Sequence, residues 1–403
     1  MTETSLDKLA ISGGSPVRTK PFPDWPIFGK EEEEMILEVV RSGKWGGTNR
    51  NKLPELERKF ADLHQAAYAI STVNGTLGIT VALQAAGVNP GDEVIMPPYT
   101  FIATATAALI FGAIPVFVDV EEDTLSLDPE KIEEAITSKT KAILPVHIAG
   151  APANMTEINR IAKKHQLVVI EDAAQAVGAE WEHKRAGALG DLASFSFQSG
   201  KNITSGEGGM ILSNNKEFAE KAWSLANVGR IPTGAWYQHE RIGWNLRMSE
   251  FQAAILLAQL TRLEEQCQTR EHNAALLNQY ISHIDGVTPT GRDPRVTRHA
   301  YHMYMFRIEK GMTETVDKQD FIRKMNAEGI PVTGGYVSLN QNRAVINEMK
   351  KWLGKEKIYN CPVSETACEQ EIIWLPQRVL LGTEEDMDDI ARAIKKVMNS
   401  YRI

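Results

Sequence analysis

Seven short apolar runs, most of them separated by segments with helical periodicity, are the feature that most limits how this chain can fold. Strands buried on both faces of a sheet are apolar throughout, and intervening helices allow successive strands to run parallel. The pattern therefore predicts an α/β fold around a mainly parallel, seven-stranded sheet flanked by helices. The predicted strands cover residues 68–72, 93–96, 114–120, 142–147, 167–170, 193–197 and 210–213.

Changes in this pattern divide the 403 residues into three predicted regions. Residues 1–26 are rich in proline and predict an extended N-terminal arm that packs on a second subunit. Residues 27–285 form the predicted large α/β domain, which includes a long bridging helix over residues 249–281. Residues 286–403 predict a smaller α+β domain. Its predicted elements are a strand over 301–308 and helices over 318–328 and 384–398.

Charge and cysteine content exclude several classes of protein. The formal net charge is −8, whereas a protein that binds the nucleic-acid backbone needs a surplus of Lys and Arg. Three cysteines without a CxxC pair, and no signal-peptide pattern at the N-terminus, predict a cytoplasmic protein. Residues 94–118 carry no charge, but prolines and a glycine interrupt them, so we expect no membrane span there. No metal-binding motif occurs, and we expect a small-molecule partner.

Two predicted strands end at residues that could hold a ligand, because ligands of open α/β sheets lie beyond the carboxyl ends of the strands. After the first strand, the backbone and hydroxyl groups of Asn74-Gly75-Thr76 could hold a phosphate, or could form only a tight turn and a helix cap. After the second strand, Phe101 could stack on a planar cofactor, or could be an ordinary core aromatic.

Two further strand ends carry charged residues. Glu171 and Asp172 end a nearly all-apolar strand, where a carboxylate either caps a helix or pairs with a buried cation. Lys201 follows the next strand on a connection rich in Gly and Ser, where most lysines are simply solvated surface residues. Each of these features alone is weak evidence for a ligand site, but their order along the chain is much stronger evidence.

In that order, the chain resembles the fold-type-I pyridoxal phosphate enzymes, and more narrowly the DegT/DnrJ/StrS family of sugar aminotransferases. The resemblance covers nearly the whole chain. The most specific matching strings are Val169-Ile-Glu-Asp-Ala-Ala-Gln175, Ser194-Phe-Ser-Phe-Gln-Ser-Gly-Lys-Asn202, Gly206-Glu-Gly-Gly209 and Gly243-Trp-Asn-Leu-Arg-Met-Ser-Glu-Phe-Gln-Ala-Ala254.

The resemblance implies a cofactor and two catalytic residues. Lys201 would bind pyridoxal 5'-phosphate as a covalent aldimine and later carry the proton, since an amine condenses with an aldehyde. Asp172 would pair with the pyridine nitrogen and keep it protonated. Pyridoxamine phosphate would be an intermediate of the cycle.

The resemblance also implies further contacts of the cofactor. In the family, an Asn of the other subunit reaches the phosphate, so Asn245 implies a homodimer with a shared active site. His147 also matches a family position, but a ring contact and a satisfied core histidine stay open for it. The other implied contacts are Gly75, Thr76 and Ser196 to the phosphate, Gln175 to the ring hydroxyl and Phe101 to the ring face.

Within the family, the strings around Gln198 and Trp374-Leu-Pro-Gln-Arg378 resemble the branch of glutamine:scyllo-inosose aminotransferases and 3-amino-5-hydroxybenzoate synthases. This implies transfer of an amino group from glutamine or glutamate to a keto-cyclitol or keto-sugar, in amino sugar or aminocyclitol biosynthesis for an antibiotic or polysaccharide. Arg230 and Arg247 are candidates for the donor carboxylate, or could be structural. The alternatives are a lyase or aromatising synthase of the same branch, and a non-catalytic PLP-binding regulator.

Overall fold

The computed structural model describes residues 8–47 and 50–402 and contains twelve strands. The strands are β1 (Tyr68–Thr72), β2 (Glu93–Met96), β3 (Ile114–Phe117), β4 (Thr140–Ile143), β5 (Val168–Asp172), β6 (Glu180–Trp181), β7 (Lys184–Arg185), β8 (Leu192–Ser196), β9 (Gly209–Ser213), β10 (Val287–Pro289), β11 (Met303–Ile308) and β12 (Ile372–Pro376). Seven of them form the main sheet in the order β1-β9-β8-β5-β4-β2-β3. Only β9 runs antiparallel to its neighbours, so the predicted mainly parallel, seven-stranded sheet is confirmed.

The three helices predicted over residues 249–281, 318–328 and 384–398 are confirmed to within one residue at each end, whereas the helix over residues 343–353 lies in a segment that showed no clear period. The α-helices are α1 (Lys30–Ser42), α2 (Lys52–His64), α3 (Gly75–Ala85), α4 (Ala103–Leu109), α5 (Ile132–Ala135), α6 (Met155–His165), α7 (Lys216–Ala226), α8 (Glu250–Ile281), α9 (Lys318–Ala327), α10 (Arg343–Leu353), α11 (Pro362–Thr366) and α12 (Glu384–Asn399). The long helix α8 begins at a capping box, in which Ser249 and Gln252 satisfy the first free backbone donors. Among the described residues, none of the helices combines the length and the apolar character needed to cross a membrane.

Both faces of the main sheet are covered because successive side chains of a strand point to opposite faces. In β9, Ile211 packs in a core with α3, α4 and α7. Its neighbours Met210 and Leu212 pack in a second core with α2 and α8. This two-sided burial explains why the strands read as continuous apolar runs.

The predicted run over residues 142–147 is only partly strand, since β4 ends at Ile143. Pro145 has no N–H to give to a ladder, and beyond it only an isolated bridge joins Val146 to Asp172. The backbone nevertheless stays beside β5, since Asp172 N–H donates to the Pro145 carbonyl oxygen at 2.9 Å and His147 N–H donates to the Asp172 carbonyl oxygen at 3.1 Å.

The C-terminal region has its own antiparallel sheet in the order β10-β11-β12, with a core that also contains α9, α12 and the end of α8. The region therefore has the expected α+β character, whereas the domain limits at residues 26 and 285 stay predictions.

The described part of the N-terminal arm contacts its own chain, and its expected packing on a second subunit stays a prediction. Residues 1–7 of the predicted arm lie outside the described residues. Arg18 is buried and forms ion pairs of 2.6 and 2.8 Å with Asp386 and Asp389 of α12, and Phe22 enters the small-domain core. A buried guanidinium needs such partners, and the arm finds them on its own C-terminal helix.

Candidate active site

Lys201 lies on the connection that follows β8. Its backbone N–H donates to the Gln198 carbonyl oxygen at 2.9 Å, which closes a tight turn, and the side chain is half-buried. Burial lowers the pKa of the Lys201 amine to about 8, while the negative charge of nearby Asp172 acts in the opposite direction. About a tenth of the amine is therefore neutral at pH 7, far more than for an ordinary lysine, and this neutral form is the nucleophile.

Asp172 is the last residue of β5 and is 5% exposed. Its Oδ2 accepts a hydrogen bond from the Thr104 hydroxyl at 2.8 Å, and its Oδ1 accepts from the Ala174 N–H at 3.2 Å. Burial raises the pKa of this carboxyl, and these hydrogen bonds and the charge of Lys201 partly offset that effect. The carboxylate is thus held in place opposite the lysine, as a partner for a cation.

Glu171, one residue earlier in β5, points to the other side of the strand and has a structural role. Its two carboxylate oxygens accept from three backbone N–H groups at 2.6 to 2.8 Å, those of Gly187, Leu189 and Gly190. The same carboxylate lies 2.8 Å from His147 Nε2, whereas Nδ1 of that ring accepts from the Ala153 N–H at 3.2 Å. Both nitrogens of His147 are occupied, so the alternative of a satisfied core histidine is the one that the structure supports.

Gln175 connects the large domain to the small domain across the site. Its Oε1 accepts from the Ala149 N–H at 2.7 Å, and its Nε2 donates to the Tyr336 hydroxyl at 2.8 Å. Tyr336 packs edge-on against Tyr99 and Trp374, and the Trp374 indole N–H donates to the Tyr99 hydroxyl at 3.0 Å. Sequence reasoning missed this aromatic group, because Tyr336 and Trp374 are far from the strand ends in sequence.

Gly75 and Ser196 meet where β1, β8 and β9 come together. Gly209, the first residue of β9, pairs with the last residue of each of the other two strands, Thr72 and Ser196. A Cβ atom on Gly75 would lie 2.9 Å from Ser196 Cβ, so only glycine allows this close approach. The close approach brings the beginning of α3 directly against the end of β8.

The beginning of α3 offers two backbone donors. The Asn74 side chain caps the helix by accepting from the Leu77 N–H at 2.9 Å. Within the described residues, the N–H groups of Gly75 and Thr76 have no acceptor. Together with the helix dipole, these two free donors make the beginning of α3 suited to an anion such as a phosphate.

Phe101 is 58% exposed between β2 and α4, whereas its neighbour Tyr99 is buried. The alternative of an ordinary core aromatic therefore does not hold for Phe101. An exposed ring next to a strand end is free to contact a ligand.

Arg230, Arg247 and Asn245 are the remaining site residues that the sequence predicts. Burial and the nearby positive charges of Arg230 and Arg50 lower the pKa of Arg247, so the three arginines form a cluster of their own. One buried guanidinium nitrogen of each, Arg230 Nε and Arg247 Nη1, has no hydrogen-bond partner within the described residues. Asn245 is exposed, as a residue that acts outside its own chain must be. The roles of all three remain predictions.

Comparisons with known proteins agree with this architecture. The profile of the DegT/DnrJ/EryC1/StrS aminotransferase family matches residues 26–395. The chain is 36% identical over 423 residues to the L-glutamine:2-deoxy-scyllo-inosose aminotransferase of Streptomyces fradiae, covering 98% of each chain. It is 37% identical over 382 residues to the 3-amino-5-hydroxybenzoate synthase of Amycolatopsis mediterranei, covering 93% of this chain and 96% of that one. A crystal structure of 3-amino-5-hydroxybenzoic acid synthase superposes with a TM-score of 0.87 at 34% identity, covering 95% of this chain and all of the other.

Proposed function

Because the chain belongs to the DegT/DnrJ/EryC1/StrS aminotransferase family, we propose that it transfers an amino group from L-glutamine or L-glutamate to a keto-cyclitol or keto-sugar. The similarity to a glutamine-dependent cyclitol aminotransferase over 98% of both chains supports this substrate class. The product would be an amino sugar or aminocyclitol for an antibiotic or polysaccharide. The single observation that carries the proposal is the placement of a half-buried Lys201 amine opposite the buried Asp172 carboxylate, at the end of a parallel sheet.

The proposed cofactor is pyridoxal 5'-phosphate, which alternates with pyridoxamine phosphate. When bound, it supplies an aldehyde carbon that exchanges amino groups and a ring that withdraws electrons from that carbon. The residues present fit it. The free N–H groups of Gly75 and Thr76 suit its phosphate, with the Ser196 hydroxyl beside them.

Lys201 and Asp172 are the proposed catalytic residues. Lys201 Nζ would hold the cofactor covalently and, when free as a neutral amine, would move a proton from the donor α-carbon to the cofactor carbon that exchanges amino groups. The buried Asp172 carboxylate holds a proton on the cofactor ring nitrogen, since a negative charge in a low-dielectric site strongly favours a cation beside it.

The remaining residues position the cofactor. Phe101 covers one face of the ring, and Gln175, held by the Ala149 N–H and the Tyr336 hydroxyl, contacts the ring hydroxyl. Arg247 and Arg230 stay candidates for an anion. Asn245 completes the phosphate site of a second subunit in a homodimer, which its exposure allows. The three cysteines are buried and unpaired, as we expect for a protein of the reducing cytoplasm.

The test is an absorption spectrum of the purified protein before and after the addition of L-glutamine or L-glutamate. We expect a visible cofactor band that bleaches with release of the corresponding keto acid, and recovery of the band with the correct keto-cyclitol or keto-sugar. The Lys201→Ala variant is the control and should lose the catalytic bleaching. A protein without a cofactor band, even after addition of pyridoxal phosphate, would refute the proposal.

A second candidate is an aromatising synthase, because the chain is 37% identical to a 3-amino-5-hydroxybenzoate synthase. Such an enzyme would use the same Lys201 and Asp172. A cofactor band that no amino donor changes would favour this function, or that of a non-catalytic PLP-binding regulator, over transamination.

A further inference from the structure

A cavity of about 540 Å³ lies between the N-terminal arm, the Lys201 connection and the sheet of the small domain. The Trp25 indole N–H donates to the Ser199 carbonyl oxygen at 3.0 Å, which fixes the arm two residues from Lys201. Its size suits an amino acid or a monocyclic sugar. The lining residues that matter most here are Trp25, Ser199, His302, Trp374, Gln377 and Arg378.

A buried arginine stands directly behind this cavity. Arg270 of α8 is 0% exposed, and its Nε and Nη2 both donate to Gln377 Oε1, at 3.0 and 2.6 Å. Its Nη1 has no hydrogen-bond partner, and no carboxylate pairs with it in the part of the chain that the structure describes. Burial lowers the pKa of Arg270 only to about 10, so its charge persists at neutral pH. An uncompensated buried charge is costly and attracts an anion.

Gln377 lies between the Arg270 guanidinium and the cavity. Because its Oε1 is occupied by two N–H groups of Arg270, the amide nitrogen Nε2 remains as the free donor, and the structure describes no acceptor for it. Gln377 itself lines the cavity. Its amide hydrogens are therefore polarised donors, backed by a positive charge.

Arg378 adds a second positive charge at the cavity wall. One guanidinium nitrogen, Nη1, donates to the Pro23 carbonyl oxygen at 2.9 Å, and no ion pair of Arg378 occurs within residues 8–47 and 50–402. None of the described residues that line the cavity is Asp or Glu. One arginine on the wall, a second behind Gln377 and no acid in the lining favour an anion in this cavity.

We propose that this cavity binds the α-carboxylate of the amino donor, with Arg378 and the Gln377 amide as its direct ligands and Arg270 as the positioning residue behind them. The inference rests on the proposed function, in which the amino acid always carries a carboxylate, whereas a free keto-cyclitol or keto-sugar carries no charge. The cavity also lies next to Lys201, since Ser199 and Gly200 of the same connection line it. Neither Arg230 nor Arg247, the candidates from the sequence, lines it.

The charge of the cavity wall can be changed with almost no change of shape. Gln377→Glu would give Arg270 the carboxylate that it lacks, and would present a negative group to the donor. Arg378→Met removes the other charge. Arg392→Met is the matched control, because Arg392 lies on the exposed face of α12 and, among the described residues, pairs with the neighbouring acids Asp388 and Asp389 of its own helix.

Cofactor absorbance measures the first half-reaction of the holoenzyme with L-glutamine. The same assay measures inhibition by glutaramate, which has the carbon skeleton and side-chain amide of glutamine but lacks the α-amino group. We expect both Gln377→Glu and Arg378→Met to raise the apparent Kd of L-glutamine and the inhibition constant of glutaramate at least tenfold, about 1.4 kcal/mol. Neutral pentanediamide should not compete in any variant. The half-reaction of the ketone with the pyridoxamine form should stay within about twofold, as should all values of Arg392→Met.

An unchanged Kd for L-glutamine in both variants, or an equal loss in the ketone half-reaction, would overturn the inference. If a variant fails to fold by circular dichroism, the other one decides. If the wild-type holoenzyme reacts with no amino donor, the proposed function fails. The cavity can still be tested, because tryptophan fluorescence measures the binding of glutaramate. Saturable binding that Gln377→Glu abolishes would then support an anion site, and no binding to the wild type would overturn it.

Discussion

Replacing Asp172 by asparagine should abolish turnover while leaving the fold intact. The asparagine Oδ1 can still accept from the Ala174 N–H, and its amide N–H₂ can donate to Thr104 Oγ1. Thr104 can accept this bond because its own hydrogen can turn to Thr100 Oγ1, which lies 2.9 Å away. With both bonds kept, we expect the free energy of unfolding of the apo-protein to change by no more than about 1 kcal/mol.

The catalytic effect should be much larger, because asparagine cannot hold a proton on the cofactor ring by its charge. Removing one partner of a buried, hydrogen-bonded charge pair costs about 3–5 kcal/mol, which corresponds to a fall of about 10²- to 10⁴-fold in the rate. Stopped-flow absorbance of the first half-reaction measures this rate, and urea unfolding of the apo-protein measures the stability. A rate within about tenfold of the wild type, in a variant that still binds the cofactor, would refute the role of Asp172.

Glu171 is the matched neighbour, and its substitution should have the opposite effect. In Glu171→Gln the new amide N–H₂ must face at least one N–H donor that now points at a carboxylate oxygen, such as those of Gly187, Leu189 and Gly190. Each buried donor left without an acceptor costs about 1–3 kcal/mol. We therefore expect a marked loss of stability, with a near-normal rate in the folded fraction. If Glu171→Gln slowed the reaction as much as Asp172→Asn at equal stability, the separation of a structural acid from a catalytic one would be wrong.

Three further outcomes follow from the structure. The rate of cofactor incorporation into the apo-protein should rise as the pH passes about 8, because only the neutral Lys201 amine reacts. The midpoint pH of this rise should be lower in Asp172→Asn, because the variant lacks the negative charge that raises the pKa of Lys201. Burial lowers the pKa of His64 from 6.5 to about 4, so the unfolded chain binds the proton more readily than the folded protein. The free energy of unfolding should therefore fall by up to about 3 kcal/mol as the pH drops from 6.5 to about 4. Urea titrations should show that His64→Phe makes the free energy of unfolding less dependent on pH. Gly75→Ala should weaken cofactor binding at least about tenfold in an equilibrium titration, because the new Cβ would lie 2.9 Å from Ser196 Cβ. Gly46→Ala is the control and should leave cofactor binding unchanged, because a Cβ at Gly46 would have no atom within 4 Å.

Much of the site could be predicted because its residues are local to strand ends. Asp172 closes β5, Lys201 follows β8 and Gly75 begins α3, and a parallel sheet brings all such ends to one edge whatever the details of packing. The identity of each residue type then limits its chemistry. Strand-end placement thus singled out the candidate residues, whereas the cofactor and the contact of each residue with it came from the resemblance to the family.

Other assignments needed contacts that have no local signal. Whether His147 touches a ligand depended on Glu171, which lies 24 residues away and occupies one of its nitrogens. The exposure of Phe101 depended on Tyr99 filling the core instead, although both rings follow the same strand. A run of prolines indicates an extended arm but not the surface that receives it, so the contacts of Arg18 and Phe22 with the C-terminal region needed the tertiary structure.

The sequence by itself determined the α/β class and the mainly parallel sheet, because the apolar period of each segment and the helices between them are properties of the local chain. It also determined which reactive groups stand at the strand ends. Only the tertiary structure decided which groups share a site: Gln175 with Tyr336, 161 residues apart, and Arg270 with Gln377, 107 residues apart. Such pairs form when whole domains pack, and their energy depends on burial and on the absence of other partners, which no local pattern of residues encodes.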